Sequence, residues 1–142
     1  MYVRDILKDK GGDVISLTAG QPVSAVLSIM AEKKVGAVLV TGSYKAIAGL
    51  LTERDMVKAM HRYGESIFGK TVGDLMTTEV VTCSSKDPIA AIMGMMTSQR
   101  FRHVPVVDDG ELVGVVSIGD VVKSRIEEAE AEAEALRKYI AL

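Results

Sequence analysis

Few residues in this chain can form disulfides or aromatic contacts. The 142 residues include no tryptophan, four tyrosines, two phenylalanines and one cysteine, Cys83. With so few rings, the stacking platforms that bind single-stranded nucleic acid are poorly supplied. One cysteine cannot form an internal disulfide, so a reducing compartment is the simplest expectation, and we expect the protein to be cytoplasmic.

The sequence also lacks an excess of charge and a long apolar run. Its formal net charge is −2, from 17 basic and 19 acidic residues, which gives no general attraction to nucleic-acid phosphates or anionic lipids. Apolar stretches such as residues 35–40 are far shorter than the roughly 20 residues that cross a bilayer. The charged residues 1–13 do not resemble a secretory signal. We therefore expect neither a nucleic-acid nor a membrane partner, and any anion site must be local.

The chain is built from two similar halves. A shift of 66 positions carries Pro22 onto Pro88, and a shift of 65 carries residues 49–55 onto 114–120. One residue is therefore missing from the intervening loop. With 48% hydrophobic residues, the chain can bury a core of its own. Repetition over this length predicts two copies of one structural unit.

Each half has the pattern strand, helix, strand, strand, helix. A proline marks the start of the first helix of each half, and the apolar residues that follow have helical spacing. In the first half these are Val23, Val26, Leu27 and Met30, which are expected to form one buried face. The predicted strands are 14–17, 37–40 and 47–51, then 80–84, 104–107 and 112–116, with turns at 42–45 and 108–111. Related lead-in segments precede the halves at 3–7 and 72–76, and 62–71 is the expected linker.

The C-terminal residues carry a heptad-like seam. Apolar positions alternate in steps of four and three, at Val122, Ile126, Ala129, Ala133, Leu136 and Ile140. The seam is short and has alanine at its centre, which would make a weak independent coiled coil. An amphipathic helix lying on its own domain explains the pattern equally well.

A Ser/Thr-x-x-Asp motif occurs at the second strand-to-helix junction of each half, as Thr52 to Asp55 and Ser117 to Asp120. Free N–H groups and the positive end of the helix dipole favour an anion there. The aspartate could accept hydrogen bonds from both ribose hydroxyls, while the Ser/Thr hydroxyl could donate to phosphate. The same spacing is that of a capping box, which needs no ligand. Both interpretations stay open.

Other candidate contacts lie near these junctions. Arg102 is a candidate phosphate ligand at a strand start, beside His103. Gly119 would allow close backbone approach, whereas Arg54 supplies a guanidinium at the equivalent position. Val80 and Val104 could flank an adenine ring or belong to the core. We expect no metal site, because His61, His103 and Cys83 lack ligand spacing, and no residues suggest a nucleophile with a base.

Three elements carry a family resemblance. They are the Asp-Leu-Met-Thr lead-in at 74–77, the Arg-His-Val-Pro-Val-Val-Asp stretch at 102–108, and the Gly-x-x-Ser/Thr-x-x-Asp motif at 49–55 and 114–120. In this order, and duplicated, they resemble the CBS domain, and two in tandem resemble a Bateman module. The resemblance implies an α/β (α+β) fold of two β-α-β-β-α repeats related by a pseudo-twofold axis, with an N-terminal lead-in and a long C-terminal helix. We place the first repeat at 1–66, the second at 67–126 and the helical tail at 127–142.

The resemblance implies two nucleotide clefts, and with them a non-catalytic regulatory module. It would bind AMP first, or ADP, ATP or NADH, sense energy or redox state and modulate a partner protein, without a catalytic cofactor. The expected ligand contacts are Thr52, Arg54, Asp55, Thr77, Val80, Arg102, His103, Val104, Pro105, Ser117, Gly119 and Asp120. The first repeat has no equivalent of Arg102, His103 and Pro105, so the clefts should differ.

The alternative function is a structural dimerisation module with empty clefts. In either case we expect a homodimer formed by helices flanking the clefts, including the Met-rich segment 93–96. The alanine-rich tail is expected to add little area to that contact.

Overall fold

A computed structural model describes residues 1–42 and 46–141. The predicted turn at 42–45 lies mostly outside these residues. The helices of the described ranges are α1 (Val3–Lys10), α2 (Val23–Lys33), α3 (Glu53–Tyr63), a 3₁₀ helix (Gly64–Gly69), α4 (Val72–Leu75), α5 (Ile89–Gln99) and α6 (Ile118–Ala141). The strands are β1 (Ser16–Thr18), β2 (Ala37–Thr41), β3 (Ile47–Thr52), β4 (His103–Asp108) and β5 (Glu111–Ser117). Within these ranges, none of the helices combines the length and apolar character that a membrane crossing requires.

The strands form two small sheets. In the first, β1 runs parallel to β2, and β2 runs antiparallel to β3. The second consists of β4 and β5, joined through Asp109 and Gly110 at φ 50° and 79°. Positive φ at both central residues is typical of the two-residue hairpin turns that match strand twist.

The predicted strand at 80–84 is shorter in the structure than its counterpart β1. It is reduced to one parallel bridge between Cys83 and Val106, which corresponds to the pairing of Leu17 with Val40 in the first sheet. The Cys83 N–H donates to the Pro105 carbonyl at 3.0 Å, and the Val107 N–H donates to the Cys83 carbonyl at 2.8 Å. The repeat is therefore preserved in register even where the strand is lost.

The described chain divides into two compact units that do not follow chain order. The α6 unit comprises residues 1–12, 82–108 and 113–142, and the α3 unit comprises 13–81 and 109–112. The lead-in helix α1 thus packs with elements of the second half, and α4 packs with elements of the first. The repeat boundaries at 66 and 126 describe sequence similarity and stay a prediction.

Each unit has its own aliphatic core. In the α6 unit, buried residues of α1, α5, β4, β5 and α6 form one cluster that includes Cys83 and Met96. In the α3 unit, Val23, Val26, Val38 and Leu51 are fully buried within the other cluster. The predicted buried face of α2 is confirmed at Val23 and Val26, but Leu27 is 38% exposed, so the buried stripe is narrower than the pattern suggested.

The motif glycines Gly49 and Gly114 allow the lead-in segments to approach the strands. A Cβ on Gly49 would lie 2.8 Å from the Thr77 carbonyl oxygen, and one on Gly114 would lie 2.5 Å from Cδ2 of Leu7. Beside Gly49, Leu50 and Thr77 exchange backbone hydrogen bonds of 2.8 and 2.9 Å. The first glycine of the motif therefore places Thr77 next to the end of β3.

The expected linker at 62–71 is a packed segment rather than a free connection. Arg62 and Tyr63 end α3, and the 3₁₀ helix follows directly. Ile67 of that helix is 3% exposed and belongs to the core of the α3 unit.

Candidate functional site

The first junction is the turn from β3 into α3. Thr52 is the N-cap of α3, and its Oγ1 accepts the backbone N–H of Asp55 at 3.2 Å. The Thr52 N–H and hydroxyl donate to Oδ2 of Asp55 at 2.9 and 3.1 Å. The Thr77 hydroxyl donates to the other carboxylate oxygen, Oδ1, at 3.3 Å. The structure thus unites three of the predicted contacts, one of them distant in sequence.

The second junction is the turn from β5 into α6. The Ser117 N–H and hydroxyl both donate to Oδ2 of Asp120 at 2.9 Å. Ser117 Oγ in turn accepts the Asp120 N–H at 3.2 Å. Lys10 adds an ion pair, with Nζ 2.8 Å from the same Oδ2 and 3.0 Å from the Val115 carbonyl oxygen. Oδ1 of Asp120 accepts no hydrogen bond from the described residues.

Lys10 and Ser117 also set the electrostatics of the second junction. Burial is the strongest influence on Asp120 and by itself raises the pKa of its carboxyl. The hydrogen bonds from Lys10 and Ser117 outweigh it together, so the pKa lies below the ordinary value. Asp120 is therefore an anion at neutral pH, partly neutralised by Lys10.

A shared backbone contact links each junction to a neighbouring strand. The Glu53 N–H donates to the Gly36 carbonyl at 3.0 Å, and the Ile118 N–H donates to the Arg102 carbonyl at 2.8 Å. The second junction consequently has the exposed Arg102 beside it, where the first has a glycine without a side chain. The sequence difference between the halves at this position therefore places an arginine side chain beside the second junction and none beside the first.

The remaining predicted contacts differ in accessibility. Arg54 and Gly119 are exposed in the first turns of α3 and α6, and Val80 is half-buried. His103 is half-buried at the start of β4. Val104 and Pro105 are buried in the same strand, and Val104 belongs to the core of the α6 unit. In this structure, those two side chains are therefore closed to solvent.

An open, mostly apolar groove of about 530 Å³ adjoins the second junction. It follows the start of α6 and is lined by Ile118, Gly119, Val122, Lys123, Ile126 and Glu127. Gly119 therefore lies at the border between the junction and an apolar helix face.

Cys83 is a buried structural residue. It is 6% exposed, and burial raises the pKa of its thiol to about 12, with Asp87 and Asp108 contributing in the same direction. The thiol therefore stays protonated and unreactive at neutral pH.

The capping interpretation of the Ser/Thr-x-x-Asp motif is confirmed at both junctions. The same spacing forms another capping box between Thr71 and Asp74, which begins α4 with the Thr71 N–H donating to Asp74 at 2.9 Å. Sequence analysis missed Lys10, because its partners are more than 100 residues away in sequence. The similarity of the two lead-in segments suggested that they have equivalent roles. It did not indicate that each lead-in packs with the other half of the chain.

The comparisons with known proteins agree with this architecture. The CBS domain-containing protein CBSX3, mitochondrial, of Arabidopsis thaliana is 35% identical over 146 residues, covering 97% of this chain and 71% of the relative. The CBS-domain containing protein ATU1752 from Agrobacterium tumefaciens has a solved structure with a TM-score of 0.84 and 40% identity, covering 87% of this chain and 92% of that one. The CBS domain pair of MJ0100, solved in complex with 5′-methylthioadenosine and S-adenosyl-L-methionine, has a TM-score of 0.77 at 23% identity, covering 87% and 98%. The CBS domain model matches residues 3–62 and again 72–127, so this chain belongs to the CBS domain family, as a tandem CBS pair.

Proposed function

We propose that this CBS pair is a regulatory module that binds an adenosyl ligand and modulates a partner protein without catalysing a reaction. AMP is the first candidate, and ADP, ATP and NADH are the others. The carrying observation is the second junction, where Asp120 keeps one carboxylate oxygen without a hydrogen bond from the described chain. The complex of the MJ0100 pair with two adenosyl compounds supports this class of ligand.

The junction chemistry suits the parts of a nucleotide. An ionised carboxylate is a strong acceptor for the two hydroxyls of ribose. Donors for phosphate are available at the exposed Arg102, at the Gly119 N–H in the first turn of α6 and at Lys10. Exposed Gly119 leaves the backbone there accessible to a ligand. At the first junction, Asp55 would accept hydrogen bonds from the ribose and Arg54 would donate to the phosphate.

Ligand binding is tested by calorimetry and thermal melting with adenosine, AMP, ADP, ATP and NADH. At a ligand concentration one hundred times Kd, the stabilisation is about 2.7 kcal/mol, or roughly 5–10 °C in Tm for a chain of this size. Asp120→Asn should weaken binding about tenfold or more, since charge-assisted hydrogen bonds are lost. Asp74→Asn is the matched control, because it alters a capping box that lies outside both junctions. No heat and no melting shift with any ligand at millimolar concentration would refute the proposal.

The phosphate role of Arg102 has a separate test. Arg102→Ala should reduce affinity for AMP by about 10- to 150-fold, the equivalent of one charge-assisted hydrogen bond, while adenosine binding changes little. Arg100→Ala is the control, since Arg100 is also exposed and lies two positions away. Equal weakening of AMP and adenosine would show that Arg102 does not contact phosphate.

We also propose a homodimer. The Met-rich segment is a poorer candidate surface than the sequence suggested, because Met96 is 3% exposed and part of the core. Large exposed apolar side chains lie instead on α3, where Val57 and Met60 are 66% and 56% exposed, and along α6. If the protein dimerises but binds no adenosyl ligand, the alternative function as a structural dimerisation module is supported.

A further inference from the structure

The large apolar side chains of the heptad seam of α6 are exposed. Val122, Ile126, Leu136 and Ile140 are 41%, 53%, 61% and 80% exposed. The face of α6 that packs on its own unit is a different one, with Val121 and Ser124 buried. Every described residue from 134 to 141 is exposed. The interpretation of the tail as an amphipathic helix lying on its own domain is therefore wrong for the seam.

The end of α6 has little support from its own unit. Among the described residues of α6, Glu128 is the last with an ion pair to another segment, to the N-terminal amino group of Met1 at 2.8 Å. Residues 129–141 continue as helix over about 20 Å. An isolated helix of this length is marginally stable in water. Packing of its apolar seam against a partner would stabilise the helical tail.

We propose that the seam pairs with the seam of a second copy of this chain, as a parallel, in-register two-stranded coiled coil. The steps of four and three place Ile126, Ala133 and Ile140 at a positions and Val122, Ala129 and Leu136 at d positions. Each would meet its own counterpart in the second copy. At the start of the seam, the partner helix would cover the groove lined by Val122 and Ile126.

The flanking charges select the parallel arrangement. The g positions carry Arg125, Glu132 and Tyr139, and the e positions carry Lys123, Glu130 and Arg137. In a parallel pair, g meets the following e position of the other helix. Arg125 then faces Glu130 of the second copy and Glu132 faces its Arg137, with each contact made twice by symmetry. Arg125 also bonds Glu128 in its own helix at 2.9 Å, which leaves further guanidinium donors.

The antiparallel arrangement is disfavoured by the same charges. Full overlap of the seam would then bring e positions together and g positions together. Lys123 would face Arg137, Glu130 would face Glu130, and Glu132 would face Glu132 of the second copy. Arg125 would face the uncharged Tyr139, so no pair of opposite charges forms, and the like charges at the other flanks oppose association. The charges therefore favour parallel helices.

Disulfide trapping in the full chain tests contact and orientation. Under mild oxidation, Ala129→Cys at a d position should cross-link rapidly to itself, whereas Ala131→Cys, two residues on and facing outward, should stay reduced. The native Cys83 does not interfere, because burial keeps its thiol protonated. Equal rates for the two variants, or no cross-link in either, would overturn the proposal. Faster joining of Ala129→Cys to Ala133→Cys than to itself would overturn the parallel register.

A charge exchange tests the flanking contacts. Glu132→Lys alone and Arg137→Glu alone should each weaken association by a factor of about 2 to 30, measured by analytical ultracentrifugation. Combining them should restore it. Residues five positions apart do not face each other on one helix, so a rescue reports an interchain contact. Lys138→Glu, at an outward and exposed f position, is the control. Failure of the double variant to recover would contradict the pairing.

Discussion

The ion pair between Lys10 and Asp120 should be measurable in the ligand-free protein by a double-mutant cycle. Nζ and Oδ2 are 2.8 Å apart, and the side chains are 39% and 24% exposed. Partly exposed pairs contribute about 0.2–1 kcal/mol. We expect Lys10→Met and Asp120→Asn each to lower the free energy of unfolding, and the double variant to lose less than their sum by that coupling. A coupling of 1 kcal/mol corresponds to about 2–4 °C in Tm.

Urea unfolding of the four proteins, with m-values compared, supplies the free energies. The matched control is a cycle with Lys8→Met, since Lys8 is exposed in the same helix. The reasoning is refuted if the Lys10 coupling is below about 0.2 kcal/mol or equals that of Lys8. The pH dependence has a definite sign. Because the folded-state pKa of Asp120 is lowered from 3.8, its contribution is present above that value and is lost as pH falls through the folded pKa.

Three further outcomes follow from local geometry. Gly49→Ala should destabilise the folded protein by about 1–3 kcal/mol, because the added Cβ would lie 2.7 Å from Sδ of Met76. Gly94→Ala should instead stabilise α5 by about 0.5–1 kcal/mol, because its Cβ would have nothing within 4 Å. Thermal unfolding distinguishes the two signs. Lys34→Gly should raise the free energy of unfolding in urea, because Lys34 has φ 55° at the end of α2, where glycine carries no penalty. Cys83 should react with a thiol reagent at the rate of global unfolding rather than at a solvent-exposed rate, because its side chain is 6% exposed.

The sequence was sufficient to predict the elements that local patterns determine. The strands β2 to β5, the helix starts after Pro22 and Pro88, and both capping boxes are confirmed, because spacing, proline and Ser/Thr-x-x-Asp act within a few residues. The repeat register is also matched in the structure, where the carbonyls of the equivalent residues Gly36 and Arg102 each accept the first N–H of the following helix. Which residues touch a ligand stays a prediction.

What local patterns could not predict depends on contacts between distant segments. The exchange of α1 and α4 between halves is invisible to periodicity, so Lys10 was missed, although a lead-in segment was expected just before it at residues 3–7. The predicted strand at 80–84 is reduced to one bridge at Cys83, although its β-branched residues favoured a longer strand, because the length of a strand depends on its pairing with a distant segment. The heptad pattern showed an apolar seam on α6 without showing which side meets the core. Val121 and Ser124 fill that side instead.

Capping and ligand recognition use different atoms of the same aspartate. At the second junction, the cap and Lys10 occupy Oδ2 of Asp120 and leave Oδ1 without a hydrogen bond from the described chain. At the first, Thr77 already donates to Oδ1 of Asp55. A ribose hydroxyl would therefore add a bond at Asp120 but would have to share or replace one at Asp55. Since a replaced hydrogen bond contributes less net free energy than an added one, the second junction should bind a nucleoside more tightly, before any phosphate contact is made.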